Sequence, residues 1–375
     1  MKKRDLYKIL FLICFWECCA VFIVYYDASL LGFKSEIEGA HYNFVIILIS
    51  AFIICLIGAT ILGSLEVLFL GKLLRKKALG ISLLIKTTTY LIFIIFFTSI
   101  VTLYLFGYET EKPMFSREVI NIYVSTYLSA RVFAVTIYWG VACMLALFIL
   151  QINEKFGQGV LINFLLGKYH RPKEDKRIFM FMDLNSSTTY AEKLGHLKYS
   201  QLIQDCFFDL TEIVLSYDAK IYQYVGDEVV LSWNVDKRTN YDNCFRTFFA
   251  YDNLLQSKRA YYENKYGIVP VFKAGVNVGY VTVAEVGELK KELAYHGDAI
   301  NTAARIQEQC NKFKSRLLIS EEINNQLRDT SVFKSELIDK IRMKGKLRSI
   351  NIYNITPCNK SSLGSSNINI KSEEN

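Results

Sequence analysis

The chain has 375 residues, enough for two or three domains, and 52% of them are hydrophobic. Its formal net charge of +8 requires no nucleic-acid partner, because many Lys and Arg residues flank apolar segments, where they set membrane orientation. The nine Cys residues form no CxxC pair and no Cys/His spacing suited to zinc, so we predict reduced thiols and no zinc site.

The amino-terminal part of the chain is strongly apolar, and residues 1–152 are predicted to form a membrane domain. A helix needs about 20 apolar residues to cross a bilayer. The four segments that are long enough are Leu6–Tyr26, Phe44–Leu70, Thr87–Phe106 and Val132–Ile152.

The distribution of basic residues predicts the orientation of these spans. Lys and Arg cluster before the first span and between the second and third spans, where we count Lys86 among them. Because cytoplasmic loops carry an excess of Lys and Arg, both termini are predicted to be cytoplasmic. We therefore predict a multi-pass protein in the lipid bilayer of the cell (inner) membrane.

Glu17 lies near the middle of the first predicted span. A charged group at that depth is costly, so an intramembrane acid can mark a functional site. The alternative, which we favour, is a protonated Glu17 that hydrogen-bonds to a neighbouring span, because the sequence offers no basic partner at matching depth.

Residues 153–176 are predicted to form a connector helix. The run VLINFLLGKY is apolar at helical spacing, with a stop signal at Gly167 and Pro172 beyond it. This helix either dimerises or packs on the surface of the next domain. At the carboxyl terminus, residues 358–375 are polar and lack aromatic side chains, and we predict disorder there.

The predicted soluble domain, residues 177–357, starts with a short apolar strand, Ile178–Leu184, that contains Asp183 near its end. Ser186 to Thr189 then offer N-caps for a helix. A carboxylate beside a helix N-terminus can hold a divalent cation while backbone N–H groups hold phosphate. The alternative is that Asp183 merely begins a turn.

The stretch YQYVGDEVVLSW follows a predicted helix, Tyr199–Tyr217, and predicts a hairpin whose tight turn carries Asp227 and Glu228. Gly-Asp is common in turns, so an ordinary acidic turn is one interpretation. The other is chemical, because Asp183 and Asp227 on adjacent strand ends can hold two metal ions that stabilise an attacking and a leaving oxygen. Glu228 is expected to be a turn residue or a supporting acid.

A long helix, about Tyr241–Lys265, is predicted before FKAGVNVGYVTVAEVG, which predicts two strands with Gly between them. The segment GDAINTAAR then opens a helix on which Asn301 and Arg305, four residues apart, share a face. Asn can bond a sugar, and Arg presents a fork of donors to phosphate. The alternative is an exposed polar helix face. Two strand-like runs around RMKGKLRSI close the domain.

Together these segments resemble the class III nucleotidyl cyclases from about Ile178 to Ile355. The resemblance depends on FMDLNSST, VGDE, GDAINTAAR and the KGK turn. It implies an α+β catalytic domain of the ferredoxin-like βαββαβ type that works as a head-to-tail homodimer. It also implies conversion of a nucleoside triphosphate to a 3′,5′-cyclic nucleotide and pyrophosphate.

The resemblance further implies a role for each matching residue. Asp183 and Asp227 of one protomer would bind two Mg²⁺ or Mn²⁺ ions. On the other protomer Asn301 would orient the ribose and Arg305 would stabilise the phosphate in the transition state, while Lys346 would grip the terminal phosphates. Further substrate contacts are implied at Leu184, Ser186, Ser187 and Thr188.

The positions that read the base depart from the family pattern. Adenylyl cyclases usually place Lys and Asp or Thr where this chain has Gln223 and Ala294, and guanylyl cyclases usually place Glu and Cys there. A four-span membrane cyclase with one catalytic domain looks bacterial, and such enzymes mostly make cyclic AMP, so we predict ATP as the substrate. The alternatives are a guanylate cyclase, a diguanylate cyclase, or a catalytically weak or inactive nucleotide-binding membrane receptor.

Overall fold

The computed structural model describes residues 3–31, 36–37, 40–41, 44–74, 77–156, 162–163, 166–289, 291–342 and 349–358. The chain divides into two compact units, Met1–Phe156 and Gly157–Asn375. The first unit is mainly helical, and the second is built around a mixed sheet. The predicted connector is described only in part, and residues 359–375 of the predicted disordered tail lie outside the described residues.

Among its described residues the first unit contains long apolar helices and one minimal strand pair, β1 (Glu36–Ile37) with β2 (Ala40–His41). Its helices are α1 (Lys3–Leu31), α2 (Phe44–Leu65), α3 (Leu79–Glu109), α4 (Arg117–Tyr127) and α5 (Ala130–Phe156). After α2 the chain continues through a π-helical turn, Glu66–Leu70, and a last helical turn, Gly71–Leu73. Among the described residues four helices, α1, α2, α3 and α5, are long and apolar enough to cross a membrane, which confirms the predicted number.

Helix α4 is an addition to the prediction, which treats the region between the third and fourth spans only as a connection. Ser116 caps it, because its hydroxyl accepts a hydrogen bond from the Val119 N–H at 3.4 Å. Glu118 lies in the first turn, where its negative charge interacts favourably with the helix dipole. Val119 is fully buried.

Lys86 does not lie in a loop as predicted. Helix α3 begins at Leu79, so Lys86 is inside the helix, where it is buried and donates to Glu66 of the π-helical turn. One turn further along α3, the hydroxyl of Tyr90 donates to the Leu62 carbonyl oxygen at 3.2 Å. A charge run beside an apolar run gives no sign of such a pairing between helices, and the prediction that Lys86 belongs to the connection between the spans was wrong.

Glu17 also differs from expectation. Both of its carboxylate oxygens are shielded from solvent and have no hydrogen-bond partner among the described residues. The expected bond to a neighbouring span is therefore not found in the part of the chain that the structure describes.

The second unit is organised by its sheet, which among the described residues has eight strands in the order β4-β5-β3-β6-β8-β10-β9, with β7 paired to β6. The strands are β3 (Lys173–Leu184), β4 (Lys220–Val225), β5 (Glu228–Asn234), β6 (Phe272–Val286), β7 (Glu292–His296), β8 (Leu317–Ser320), β9 (Phe333–Arg342) and β10 (Ser349–Pro357). The helices are α6 (Ser187–Ser216), α7 (Asp242–Ser257), α8 (Arg259–Tyr266), α9 (Asp298–Lys312) and α10 (Glu321–Asn324).

The chain path through the first half of this sheet is β3-α6-β4-β5-α7-α8-β6, and the strands lie in the order β4-β5-β3-β6 with antiparallel neighbours. This is the ferredoxin-like βαββαβ arrangement, and it confirms the predicted fold class. Strand β8 then adds parallel to β6, and β10 and β9 extend the sheet.

Alternation along β3 gives the sheet two apolar faces. Met180 and Met182 pack with the buried side chains of α6, α7 and α8, whereas Phe179 packs with Ala299 and Ala303 of α9 on the other face. Successive side chains of a strand point to opposite faces, so a run that is apolar at every position predicts a strand covered on both sides. Asp183 is therefore a charged residue near the end of a strand whose other side chains from Ile178 onward are apolar and mostly buried.

Three predicted boundaries in this unit are corrected. Helix α6 begins at Ser187 and kinks at Gly195, and Ser186, at φ 60°, makes no side-chain cap, so the expected N-cap was wrong there. The predicted helix 241–265 is two helices that meet at Lys258. The two strands predicted in FKAGVNVGYVTVAEVG are one, β6, because its Gly residues make room for α9 rather than end the strand.

Candidate active site

Asp183 and Asp227 come from neighbouring parts of the sheet. Asp183 lies near the end of β3, opposite Glu228 of β5 on one side and Lys273 of β6 on the other. Asp227 lies in the turn between β4 and β5, just after Gly226, which has a φ of 62° that an L side chain rarely adopts. The hairpin thus brings the second acid beside the end of β3, as the predicted hairpin required.

The two acids differ in their hydrogen-bond partners. Asp183 Oδ2 accepts a hydrogen bond from Gln307 Nε2 at 3.1 Å and lies 3.2 Å from Lys273 Nζ. Asp227 Oδ2 is shielded from solvent and has no hydrogen-bond partner among the described residues. A buried carboxylate oxygen without a partner is costly, so this atom points to a cation that the protein would hold there.

The electrostatics of this cluster have the same implication. Burial raises the pKa of Asp183, and the negative charge of Asp227 raises it further, while Lys273 opposes the change. Burial and the charges of Asp183, Asp227 and Glu308 raise the pKa of Glu228 to about 7. Because acids with raised pKa values gain most when a cation arrives, this end of the sheet favours divalent metal.

The residues present fit a magnesium or manganese ion that is shared with a substrate. Such ions are usually bound by one or two carboxylates plus substrate phosphates and water, rather than by a cage of protein ligands. In the part of the chain that the structure describes, no group of three or more His, Cys, Asp or Glu side chains is arranged to hold a metal. Asp183 and Asp227 therefore form a carboxylate pair whose metal coordination would be completed by water or by phosphate oxygens.

The residues predicted to contact substrate after Asp183 have different environments. Leu184 is fully buried, so its side chain belongs to the core and only its backbone can face a substrate. Ser186 and Thr188 are exposed and Ser187 is half-buried. Because α6 begins at Ser187, its first N–H groups lie next to Asp183 in the chain, an arrangement suited to binding an anion.

A second group of predicted residues lies on β4, β7 and α9. Gln223 is exposed on β4, and Ala294 is half-buried on β7. Their chain neighbours Tyr222 and Tyr295 touch edge to face, with ring centroids 4.6 Å apart, so β4 and β7 lie close together next to the two positions that were predicted to contact the base. Phe179 of β3 also packs edge to face on Tyr295, with ring centroids 5.4 Å apart.

Asn301 and Arg305 lie on helix α9, where Asn301 is exposed and Arg305 is half-buried. They are one helical turn apart, which agrees with the spacing in the sequence. Lys346, the predicted phosphate contact in the KGK turn, lies outside the described residues, because the structure does not describe residues 343–348.

Sequence reasoning missed Lys273 and Gln307 beside Asp183. Lys273 lies opposite Asp183 only because β3 pairs with β6, and Gln307 contacts Asp183 only because α9 packs on the sheet. The Lys in FKAG gave a local signal, namely a basic residue in an apolar strand. Gln307 gave none, since a Gln on a helix is unremarkable.

A model of the adenylate and guanylate cyclase catalytic domain family matches residues 170–357, about half of the chain. The chain belongs to this family. The matched family is the one that the motifs predicted, and its range takes in both acids, α9 and the strands around them.

Curated relatives agree with this assignment. Adenylate cyclase 2 of Rhizobium meliloti (strain 1021) is 30% identical over 210 residues, which cover 56% of this chain and 58% of that protein. Adenylate cyclase 1 of the same organism is 25% identical over 182 residues, which cover 47% of this chain and 27% of that protein. The chain therefore spans less than two thirds of the length of either relative.

The solved structures show the fold. A bacterial light-regulated adenylyl cyclase superposes with a TM-score of 0.51 at 18% sequence identity, over 61% of this chain and 67% of that one. This likeness supports the cyclase fold of the second unit, in agreement with the strand order described above.

Proposed function

We propose that the chain is a membrane-bound adenylate cyclase that converts ATP to 3′,5′-cyclic AMP and pyrophosphate in a homodimer. The observation that supports this most is the carboxylate pair of Asp183 and Asp227, with its orphaned Oδ2 atom, at the end of a buried strand. A purely structural turn has no need of two half-buried acids and a third acid whose pKa lies near neutrality.

Each residue has a task in this reaction, in which the ribose 3′-oxygen attacks the α-phosphate. Asp183 and Asp227 would hold two Mg²⁺ or Mn²⁺ ions, which supply charge stabilisation to the attacking and leaving oxygens when bound. Asn301 would orient the ribose through its amide, and Arg305 would bond the phosphate oxygens through its planar fork. Lys346 and the first N–H groups of α6 would bind the remaining phosphate charge.

The site would be shared between two copies of the chain. Asp183 and Asp227 would come from one protomer, and Gln223, Ala294, Asn301 and Arg305 from its partner. One chain carries both sets, so a symmetric dimer would hold two sites.

ATP is proposed as the substrate because the curated relatives described above are named adenylate cyclases. A guanylate cyclase is the second candidate. Gln223 supports keeping it, because an amide can donate or accept and can therefore bond the edge of either purine. Ala294 offers no hydrogen bond that would favour one base.

The first unit is proposed to anchor this enzyme in the cell (inner) membrane. Its four apolar helices are long enough to cross the bilayer, and an even number of spans leaves both termini on one side. The basic residues before the first span and around the end of the second favour the cytoplasm for that side.

Identification of the product tests the proposal. The full-length chain in detergent, incubated with Mn²⁺ and either ATP or GTP, should yield 3′,5′-cyclic AMP from ATP as the main product by mass spectrometry. Asp227→Ala should lower that yield by more than about 100-fold, because it removes a group that stabilises developing charge. Cyclic GMP as the main product would favour the second candidate, and a folded chain that forms no cyclic nucleotide would contradict both.

A further inference from the structure

Gln307 is a buried polar residue that the proposed reaction does not use. Its side chain is on α9, the residue is only 6% exposed, and Nε2 donates to Asp183 Oδ2 at 3.1 Å. A buried amide is retained only where its hydrogen bonds are made, so the contact with Asp183 is the feature that explains it.

The position of Gln307 is set by close packing of α9 on β6. A Cβ atom added at Gly275 would lie 2.2 Å from the backbone N of Gln307, so only Gly lets the helix approach this closely. Two further contacts fix the helix along the strand: Asn277 Nδ2 donates to the Ala299 carbonyl at 2.9 Å, and Cys310 Sγ donates to the Ala274 carbonyl at 3.4 Å. The backbone of Gln307 is therefore packed closely against β6, and from there its side-chain amide reaches Asp183.

Lys273 and Gln307 contact the same oxygen of Asp183 but have different chemistry. Lys273 is a cation on a flexible stem, so a metal ion that binds Asp183 competes with it directly. Gln307 is neutral, and its amide can stay bonded to one carboxylate oxygen while the other faces a metal. Partners of this kind orient a metal ligand without touching the metal.

We propose that Gln307 is a positioning residue that orients Asp183 for the metal and ties it to helix α9. Helix α9 also carries Asn301 and Arg305. In a dimer, Asp183 of one protomer would serve one active site, and Asn301 and Arg305 of the same protomer would serve the other. The hydrogen bond between Gln307 and Asp183 would therefore fix the position of one site's helix relative to the metal carboxylates of the other site. The proposal rests on the proposed function, since it needs Asp183 to be a metal ligand.

Binding of Mn²⁺ alone, measured by electron paramagnetic resonance on the full-length chain in detergent, tests the proposal. Gln307→Met keeps the side-chain length and burial but removes the donor, and it should weaken Mn²⁺ affinity by about 10-fold or more. Gln309→Met makes the same change two residues further along α9, at a side chain without a hydrogen bond in the described residues, and should leave the affinity unchanged. Because the positioning acts through the metal, Gln307→Met should also need more Mn²⁺ to reach half of its maximal rate.

A second variant covers the case in which Gln307→Met does not fold. Gln307→Asn keeps the amide but withdraws it by one methylene, so it should weaken Mn²⁺ binding in the same direction. One outcome would overturn the role of Gln307 and leave the proposed function intact. In that outcome the wild type binds Mn²⁺ and Asp227→Ala abolishes the binding, but a folded Gln307 variant binds Mn²⁺ with unchanged affinity. Wild-type binding that Asp183→Ala and Asp227→Ala do not weaken would overturn both.

Discussion

The pKa of Glu228 depends on the charges of the other acids in the candidate site. It follows Asp227 directly and opposes Asp183 across the β3–β5 pairing. Burial and the neighbouring acids raise its pKa to about 7, so its neutral form persists to a higher pH than that of an ordinary Glu. A role as a turn residue or as a supporting acid, which the sequence predicts for Glu228, stays a prediction.

The raised pKa of Glu228 predicts a pH-dependent cost to stability in the absence of metal. An acid whose pKa is raised from 4.5 to about 7 on folding costs nothing below pH 4.5 and destabilises the fold progressively as the pH rises to 7. Glu228→Gln should therefore raise the urea midpoint of unfolding at pH 8, with EDTA present, and change it little at pH 5.

The matched control for this prediction is Glu336→Gln, at an exposed position of β9. It should show no gain that depends on pH. A stabilisation by Glu228→Gln that is equal at pH 5 and pH 8 would mean that its charge is not the source of the effect.

At the scale of elements, the contact between α9 and β6 supports the site. The Cβ atom of Gly275→Ala would meet the backbone of Gln307 at 2.2 Å and that of Ala303 at 2.6 Å, and neither can move without the helix. We expect Gly275→Ala to cost about 3 kcal/mol in chemical denaturation, the upper end of overpacking costs. Gly267→Ala, where no atom lies within 4 Å but φ is 69°, should cost only about 1 kcal/mol of backbone strain. Equal costs for the two changes would contradict close packing of α9.

The Glu66–Lys86 pair joins α3 to the π-helical turn after α2, and both side chains are more than nine-tenths buried. Removing one partner leaves an uncompensated charge, so Lys86→Met should lower the stability of the first unit by about 3–5 kcal/mol in detergent. The double variant Glu66→Leu with Lys86→Met should recover most of that loss.

An exposed pair provides the comparison. Lys112 and Glu118 also form an ion pair, but both side chains are largely exposed, so Lys112→Met should cost about 0–1 kcal/mol. A neutral effect of Lys86→Met would show that the buried pair is not formed in the protein.

Local patterns were sufficient to predict part of this architecture. The apolar run that ends at Asp183, the Gly-Asp turn at Asp227 and the i,i+4 pair of Asn301 and Arg305 are set within a few residues, and the elements that carry them are found as predicted. The contacts of Lys273 and Gln307 with Asp183 depend on residues 90 or more positions away, so no local pattern shows them. The burial of Lys86 was missed for the same reason, because its partner lies on another helix.

In the whole molecule, four helices that are long and apolar enough to cross a membrane precede a domain of the cyclase family. Membrane helices would hold two copies at high local concentration, which favours pairing of the cyclase domains. The proposed site needs that pairing, because its metal carboxylates and its Asn–Arg helix face would come from different protomers.

Mixing two inactive variants tests whether the active site is shared between two copies of the chain. Asp183→Ala removes one half of the site and Arg305→Ala the other, so each variant alone should form almost no cyclic AMP. When the two are co-expressed, random pairing gives mixed dimers with one intact site, and about a quarter of wild-type activity should return. Cyclic AMP formation in the mixture that stays at the level of the single variants would contradict a site shared between two copies of the chain.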